Sequence, residues 1–117
     1  IVAHVTAAID DENVKVSVFN PGREASAVSS TESEGYQIIS QTIRDTFDGA
    51  VVAPNLVVGG TDARQFALVS GNVYRSIPIV LGRNDTSRFH GTNERITVEN
   101  MGKAVQFYVR LIERGSE

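Results

Sequence analysis

Two short polar segments carry the residue types that binding or catalysis needs. Residues 59–64 read Gly-Gly-Thr-Asp-Ala-Arg and form the first, which we call the glycine segment. Residues 88–96 read Arg-Phe-His-Gly-Thr-Asn-Glu-Arg-Ile and form the second, the histidine segment. Each follows an apolar run, and in open α/β sheets ligands bind at the carboxyl ends of the strands. We therefore expect the two segments to form the functional site.

The histidine segment predicts a metal ligand at His90, because neutral imidazole binds zinc, cobalt or manganese well. Gly91 would let the backbone turn closely around whatever the ring contacts. Asn93 and Glu94, three and four residues after the histidine, could orient the ring or shape the loop. A metal centre needs at least two further ligands, for which the sequence offers no convincing set. The alternative is a loop histidine that bonds a neighbouring carbonyl group.

The glycine segment predicts an anion-binding turn. Gly60 and its neighbour allow a tight turn from a strand into a helix, whose N-terminal amides favour an anion. Thr61 adds a hydroxyl group, and Arg64 adds a guanidinium that can hold a carboxylate with two hydrogen bonds. The alternative is an ordinary helix start, capped by Thr61 or Asp62, with Arg64 on its surface.

The elements that would position these segments alternate between helices and strands. Apolar spacing predicts a helix over residues 1–9, a second helix from Glu34 that Ser33 caps, and a last helix from Val98 to Arg114. Strands are predicted around residues 14–19, 50–58 and 73–80, with a short helix after the glycine segment and a turn at Asp85. This order predicts an α/β fold with a mostly parallel sheet.

Composition excludes several classes of function. The net charge of −3 and the pI near 5.3 argue against nucleic-acid binding. No apolar run approaches the roughly 20 residues that span a bilayer, so we expect a soluble protein, either cytoplasmic or exported. The absence of cysteine excludes disulfides. Lys103, Arg110 and Arg114 are spread along the last helix, which predicts a solvated face.

Residues 54–64, residues 73–75 and the histidine segment together resemble the C-terminal portion of the zinc-dependent carboxypeptidase and aminoacylase family. The branch that they resemble most is the carboxypeptidase S, or Gly-Xaa carboxypeptidase, type. The resemblance covers essentially the whole chain, and the two segments about 30 residues apart are quite specific in combination. Gln65 departs from the pattern, because close relatives often have histidine there.

The resemblance implies a zinc-exopeptidase-like α/β catalytic domain, into which a smaller α+β lid domain is inserted. Residues 1–20 would be the last helix and strand of the lid, which often forms the dimer contact in this family. Residues 21–32 would be the linker back, and residues 33–117 the C-terminal part of the catalytic domain. A homodimer through residues 1–20 is therefore expected.

The resemblance also implies roles for single residues. His90 matches the histidine that binds one of two zinc ions, and Arg64 matches a contact for the substrate carboxylate. Gly60, Thr61 and Asp62 match the loop that faces the substrate, while Asn93 and Glu94 match the part that shapes the loop behind the histidine.

The remaining metal ligands and the glutamate general base have no counterpart here, so no catalytic residue is expected in this chain. The chain opens inside a helical pattern, which predicts a fragment that is inactive alone. The complete enzyme would cleave the amide bond of dipeptides or N-acyl amino acids. The competing hypothesis is a non-catalytic α/β interaction or structural domain, in which His90 and Arg64 would satisfy backbone groups internally.

Overall fold

A computed structural model describes residues 1–20, 22 and 25–117, which form four α-helices and one 3₁₀ turn. Their bounds are α1 Val2–Ile9, α2 Glu34–Thr46, α3 Ala63–Phe66, the 3₁₀ turn Thr86–Arg88, and α4 Val98–Gly115. The predicted helices over 1–9, from Glu34 and from Val98 are confirmed. No helix in this part of the chain is both long and apolar enough to cross a membrane.

Local capping explains where the two long helices begin. The Ser33 hydroxyl accepts a hydrogen bond from the Tyr36 amide at 3.2 Å, as predicted, and Thr97 accepts one from the Asn100 amide at 3.1 Å. These bonds satisfy amides that the first turn of a helix leaves without a backbone acceptor.

The predicted α/β fold is wrong for the part of the chain that the structure describes. Residues 14–19, 50–58 and 73–80 were each expected to be strands, but no β-strand is formed by residues 1–20, 22 and 25–117. Neither the parallel sheet nor the lid strand is present there. An apolar run or an alternating pattern favours an extended backbone, whereas a strand also needs a second backbone to complete its hydrogen bonds.

Side chains bond both ends of segment 73–80, which is neither a helix nor a strand. The Ser29 hydroxyl accepts from the Val73 amide at 2.8 Å and donates to the Val73 carbonyl at 3.0 Å. At the other end, the Asn100 side-chain amide accepts from the Val80 amide and donates to the Val80 carbonyl, both at 2.8 Å. Ser29 and Asn100 thus supply hydrogen bonds that an adjacent strand would otherwise provide.

Helices α2 and α4 pack against each other through a largely polar contact. Phe107 of α4 is 1% exposed and is the only large apolar side chain fully buried among the described residues. Beside it, α2 buries three hydroxyl side chains, those of Ser40, Thr42 and Thr46. The hydroxyl groups of Thr42 and Thr46 accept hydrogen bonds from α4, whereas that of Ser40 finds no partner among the described residues.

The predicted solvated face of α4 is wrong, because its three basic residues are half-buried against α2. Lys103 donates to the Thr46 carbonyl at 3.2 Å, and Arg110 donates to the Asp45 carbonyl and to the Thr46 hydroxyl. The last carbonyl groups of a helix have no partner within the helix, and cations are favoured there.

Arg114 completes this contact with an ion pair to Asp45 and a 3.1 Å hydrogen bond to the Thr42 hydroxyl. The hydrogen bond from Arg114, followed by one from Gln41, holds the pKa of Asp45 below its usual value. The contact with α4 therefore favours the ionised form of Asp45.

The apolar face of α4 is exposed. Its exposed apolar side chains are Val98, Met101, Val105, Tyr108, Val109 and Ile112. The radius of gyration is 19.7 Å, compared with about 13 Å for a compact domain of this length. The described elements therefore do not enclose a common apolar core.

Candidate functional site

The histidine segment lies on a loop that leaves segment 73–80 and returns at α4. Asn100 holds the two ends of this loop together through its paired hydrogen bonds to Val80. Inside the loop, successive backbone bonds of the i to i+3 type run from Asp85 to Gly82, from Arg88 to Asp85 and from Gly91 to Arg88, at 3.0, 3.0 and 2.9 Å. We call residues 81–97 the histidine loop.

The Asp85 carboxylate bonds two parts of the histidine loop at once. One oxygen, Oδ2, accepts from the Gly82 amide at 2.7 Å. The other, Oδ1, lies 2.7 Å from Nη1 of Arg88 in a half-buried ion pair. The turn predicted at Asp85 is confirmed, and its side chain adds contacts that the turn alone does not require.

His90 and Asn93 have left-handed backbone conformations, with φ of 55° and 60°. This region is uncommon for residues with a Cβ, although asparagine, aspartate and histidine enter it more readily than others. The His90 side chain is exposed. Asn93 suits its left-handed position, and its loop-shaping role, like that of the exposed Glu94, stays a prediction.

Gly91 is required by the backbone of its own loop. A Cβ added there would lie 2.9 Å from the Ser87 carbonyl oxygen and 3.4 Å from the Arg88 carbonyl oxygen. Contacts below 3.0 Å do not occur for real Cβ atoms, and a backbone atom cannot move aside easily. The close approach at Gly91 is therefore to the 3₁₀ turn, and a backbone turn around a contact of the His90 ring stays a prediction.

The glycine segment forms the turn that starts α3. The Thr61 hydroxyl accepts from the Ala63 amide at 3.3 Å, and Asp62 precedes the helix without a side-chain cap bond. The Arg64 side chain folds back over Gly60, where an added Cβ would lie 2.8 Å from Nη2 of the guanidinium. Gly60, Thr61, Asp62 and Arg64 are thus neighbours in one exposed turn.

A cavity of about 300 Å³ separates this turn from residues 25–27 of the predicted linker. Its lining comes from residues 25–27 on one side and from Arg64, Gln65, Ala67 and Leu68 on the other. Pro21, Arg23 and Glu24, which belong to the predicted linker 21–32, lie outside the described residues. The predicted linker therefore reaches the Arg64 turn through residues 25–27.

No hydrogen bond or ion pair joins the glycine segment to the histidine loop within residues 1–20, 22 and 25–117. The same residues contain no group of three or more His, Asp or Glu side chains that could hold a metal ion. An exposed imidazole can supply a single metal bond, and a metal centre needs further ligands.

The sequence did not identify the roles of two residues that organise the histidine loop, Asn100 and Arg88. Asn100 was predicted only as part of the last helix, and Arg88 was not recognised as the partner of Asp85. The spacing of Asp85 and Arg88, three residues apart beside a predicted turn, was a usable signal, because opposite charges three residues apart lie on one side of a helical turn.

The chain matches the family model for peptidase family M20/M25/M40 over residues 2–114. The chain belongs to this family, which confirms the predicted membership in a metallopeptidase and amidohydrolase family. The family is generally metal-dependent.

Two curated proteins resemble the chain over nearly its whole length. The chain is 42% identical to the N-fatty-acyl-amino acid synthase/hydrolase PM20D1 of Xenopus tropicalis over 109 residues, which cover 93% of this chain and 21% of that protein. It is 37% identical to the probable carboxypeptidase S-like 2 of Dictyostelium discoideum over 113 residues, covering 97% and 22% respectively. The predicted carboxypeptidase S branch is thus among its relatives.

The chain spans about a fifth of the length of these curated relatives. No solved structure matches the chain significantly.

Proposed function

We propose that this chain is the C-terminal part of a zinc-dependent hydrolase that cleaves the amide bond of dipeptides or N-acyl amino acids. The observation that carries the proposal is the exposed His90 on a tightly bonded loop, in a chain that belongs to a metallopeptidase family. The names of its relatives, an N-fatty-acyl-amino acid synthase/hydrolase and a carboxypeptidase-like protein, support both substrate classes.

In this proposal His90 supplies one ligand to a two-zinc centre, and the remaining ligands and the general base come from outside residues 1–117. Bound zinc lowers the pKa of its water and polarises the substrate carbonyl. Arg64 holds the free carboxylate of the substrate, and Gly60, Thr61 and Asp62 form the turn that faces it. The chain alone is inactive, since one zinc ligand cannot complete the centre.

A carboxylate clamp at Arg64 favours substrates that end in a free amino acid. The guanidinium forms two parallel hydrogen bonds with a carboxylate, a geometry that an amide does not offer. The cavity between residues 25–27 and the Arg64 turn provides space beside the guanidinium. The substrate carboxylate would therefore enter next to residues 25–27 of the linker.

The proposal is tested by measuring hydrolysis in the complete protein. Purified with zinc, it is expected to hydrolyse dipeptides or N-acyl amino acids and to lose this activity after chelation. Residues 1–117 alone are expected to show no hydrolysis under the same conditions. Hydrolysis of neither substrate class by the zinc-loaded complete protein would favour the non-catalytic alternative.

We also propose that residues 1–20 are the end of a lid domain that forms a homodimer, residues 21–32 the linker, and residues 33–117 part of the catalytic domain. Val14 and Val18 of the first segment are 45% and 56% exposed. Their apolar side chains suit a contact with a second copy.

Val18→Lys in the complete protein is expected to shift a dimer toward the monomer, because the ammonium group would have to be buried in an apolar contact. Sedimentation measures the change, and Ser17→Lys is the matched control on the neighbouring, exposed position. A parent protein that sediments as a monomer, or a Val18→Lys dimer as stable as the parent, would refute the contact.

A further inference from the structure

We propose that Asp85 is a positioning residue for His90, because its carboxylate holds the loop in the conformation that presents the imidazole. This inference rests on the proposed function, in which His90 binds zinc. Asp85 lies five residues before His90 and bonds the Gly82 amide and the Arg88 guanidinium simultaneously. One side chain thus joins the start of the histidine loop to a residue next but one to the histidine.

The backbone conformation of His90 explains why the two contacts of Asp85 matter. A left-handed conformation is unfavourable for a residue with a Cβ and persists where the surrounding structure enforces it. The Gly91 amide bonds the Arg88 carbonyl at 2.9 Å, so this bond spans His90 and closes the turn around it. Because Arg88 forms both this bond and the ion pair with Asp85, the carboxylate acts on the turn that contains His90.

The exposure of the Asp85–Arg88 ion pair indicates whether loss of Asp85 should mainly affect folding stability or zinc binding. The side chains of Arg88 and Asp85 are 32% and 33% exposed, and pairs of this kind contribute little to global stability. Groups that orient a metal ligand, in contrast, typically change metal affinity or activity by about 10- to 100-fold when they are removed. We therefore expect Asp85 to affect zinc binding more than folding.

The test uses the complete protein and four variants: Asp85→Ala, Asp85→Asn, Arg83→Ser and His90→Ala. Asp85→Asn keeps an acceptor for the Gly82 amide but loses the charge that pairs with Arg88. Arg83→Ser is the matched control, because Arg83 lies in the same loop with an exposed side chain. Zinc affinity is measured by competition with a chelator, and amide hydrogen exchange over residues 82–91 is measured in the metal-free protein.

Asp85→Ala is expected to weaken zinc binding about 10- to 100-fold and to speed exchange of the Gly82 and Gly91 amides. Asp85→Asn should fall between this variant and the parent, and Arg83→Ser should match the parent. Excess zinc should restore kcat of Asp85→Ala with KM near the parent value. A purely structural role would not give this rescue, provided that circular dichroism shows an intact fold at the assay temperature.

Parent-like zinc affinity and amide exchange in Asp85→Ala would overturn the inference. If His90→Ala also kept parent-like zinc affinity, the proposed function would fail as well; loss of zinc in His90→Ala alone would refute only the role of Asp85. If Asp85→Ala does not fold, Arg88→Met decides the question, because it removes the ion pair and leaves the Gly82 bond in place. Unchanged zinc affinity in that variant would then count against the positioning role of Asp85.

Discussion

His90→Ala in the complete enzyme is expected to lower zinc content and to reduce kcat/KM by more than about 100-fold. Groups that only orient a ligand already cost about 10- to 100-fold, so loss of a ligand should cost more. Without its full ligand set, a zinc centre holds the ion less tightly and activates water less well. Metal analysis of the purified protein and steady-state kinetics measure both effects.

His4→Ala is the matched control for this prediction. His4 is the other histidine of the chain and lies exposed on α1. It should leave zinc content and kinetics at parent values. Parent-like zinc content and activity in His90→Ala would remove the assignment of His90 as a ligand and would favour the non-catalytic hypothesis for this chain.

Arg64→Ala is expected to lower kcat/KM about 10- to 150-fold on substrates with a free carboxylate, with zinc content unchanged. A hydrogen bond to a charged group is worth about 1.5–3 kcal/mol, and about 1.4 kcal/mol corresponds to a factor of ten. The guanidinium is held over Gly60 in an exposed turn, where a substrate can reach it.

The control variant is Arg44→Ala, which removes an exposed arginine from the last turn of α2. A second control uses the substrate, since a carboxamide analogue lacks the charge that Arg64 would hold. The parent should discriminate against this analogue, and Arg64→Ala should largely lose that discrimination. Equal discrimination by both proteins would place the carboxylate contact elsewhere.

Local sequence signals predicted the helices well, because the interactions that define a helix lie within a few residues. Ser33 caps α2 as expected, and the apolar spacing gave the extents of α1 and α4. The strands were wrong for the opposite reason. Residues 50–58 and 73–80 have the composition of buried strands, but pairing depends on a distant backbone, which the sequence pattern of one segment does not contain.

The side of α4 that packs against α2 could not be predicted from local sequence patterns either. The basic side chains of α4 were expected on a solvated face, whereas Lys103 and Arg110 lie on the carbonyl groups at the end of α2. This contact forms only once the end of α2 lies against α4. Within the site, residue types identified His90 and Arg64 as candidates, but the contact of Asp85 with both Gly82 and Arg88 needed the folded loop to be visible.

The polar contact between α2 and α4 fixes their register. Apolar surfaces can slide and repack, but displacement of α4 by one helical turn, about 5.4 Å, would separate each basic side chain from its acceptor on α2 at the same moment. The two helices should therefore move as one rigid body. Since Ser33 begins α2 and Thr97 begins α4, this body sets a fixed spacing between the end of the linker and the exit of the histidine loop.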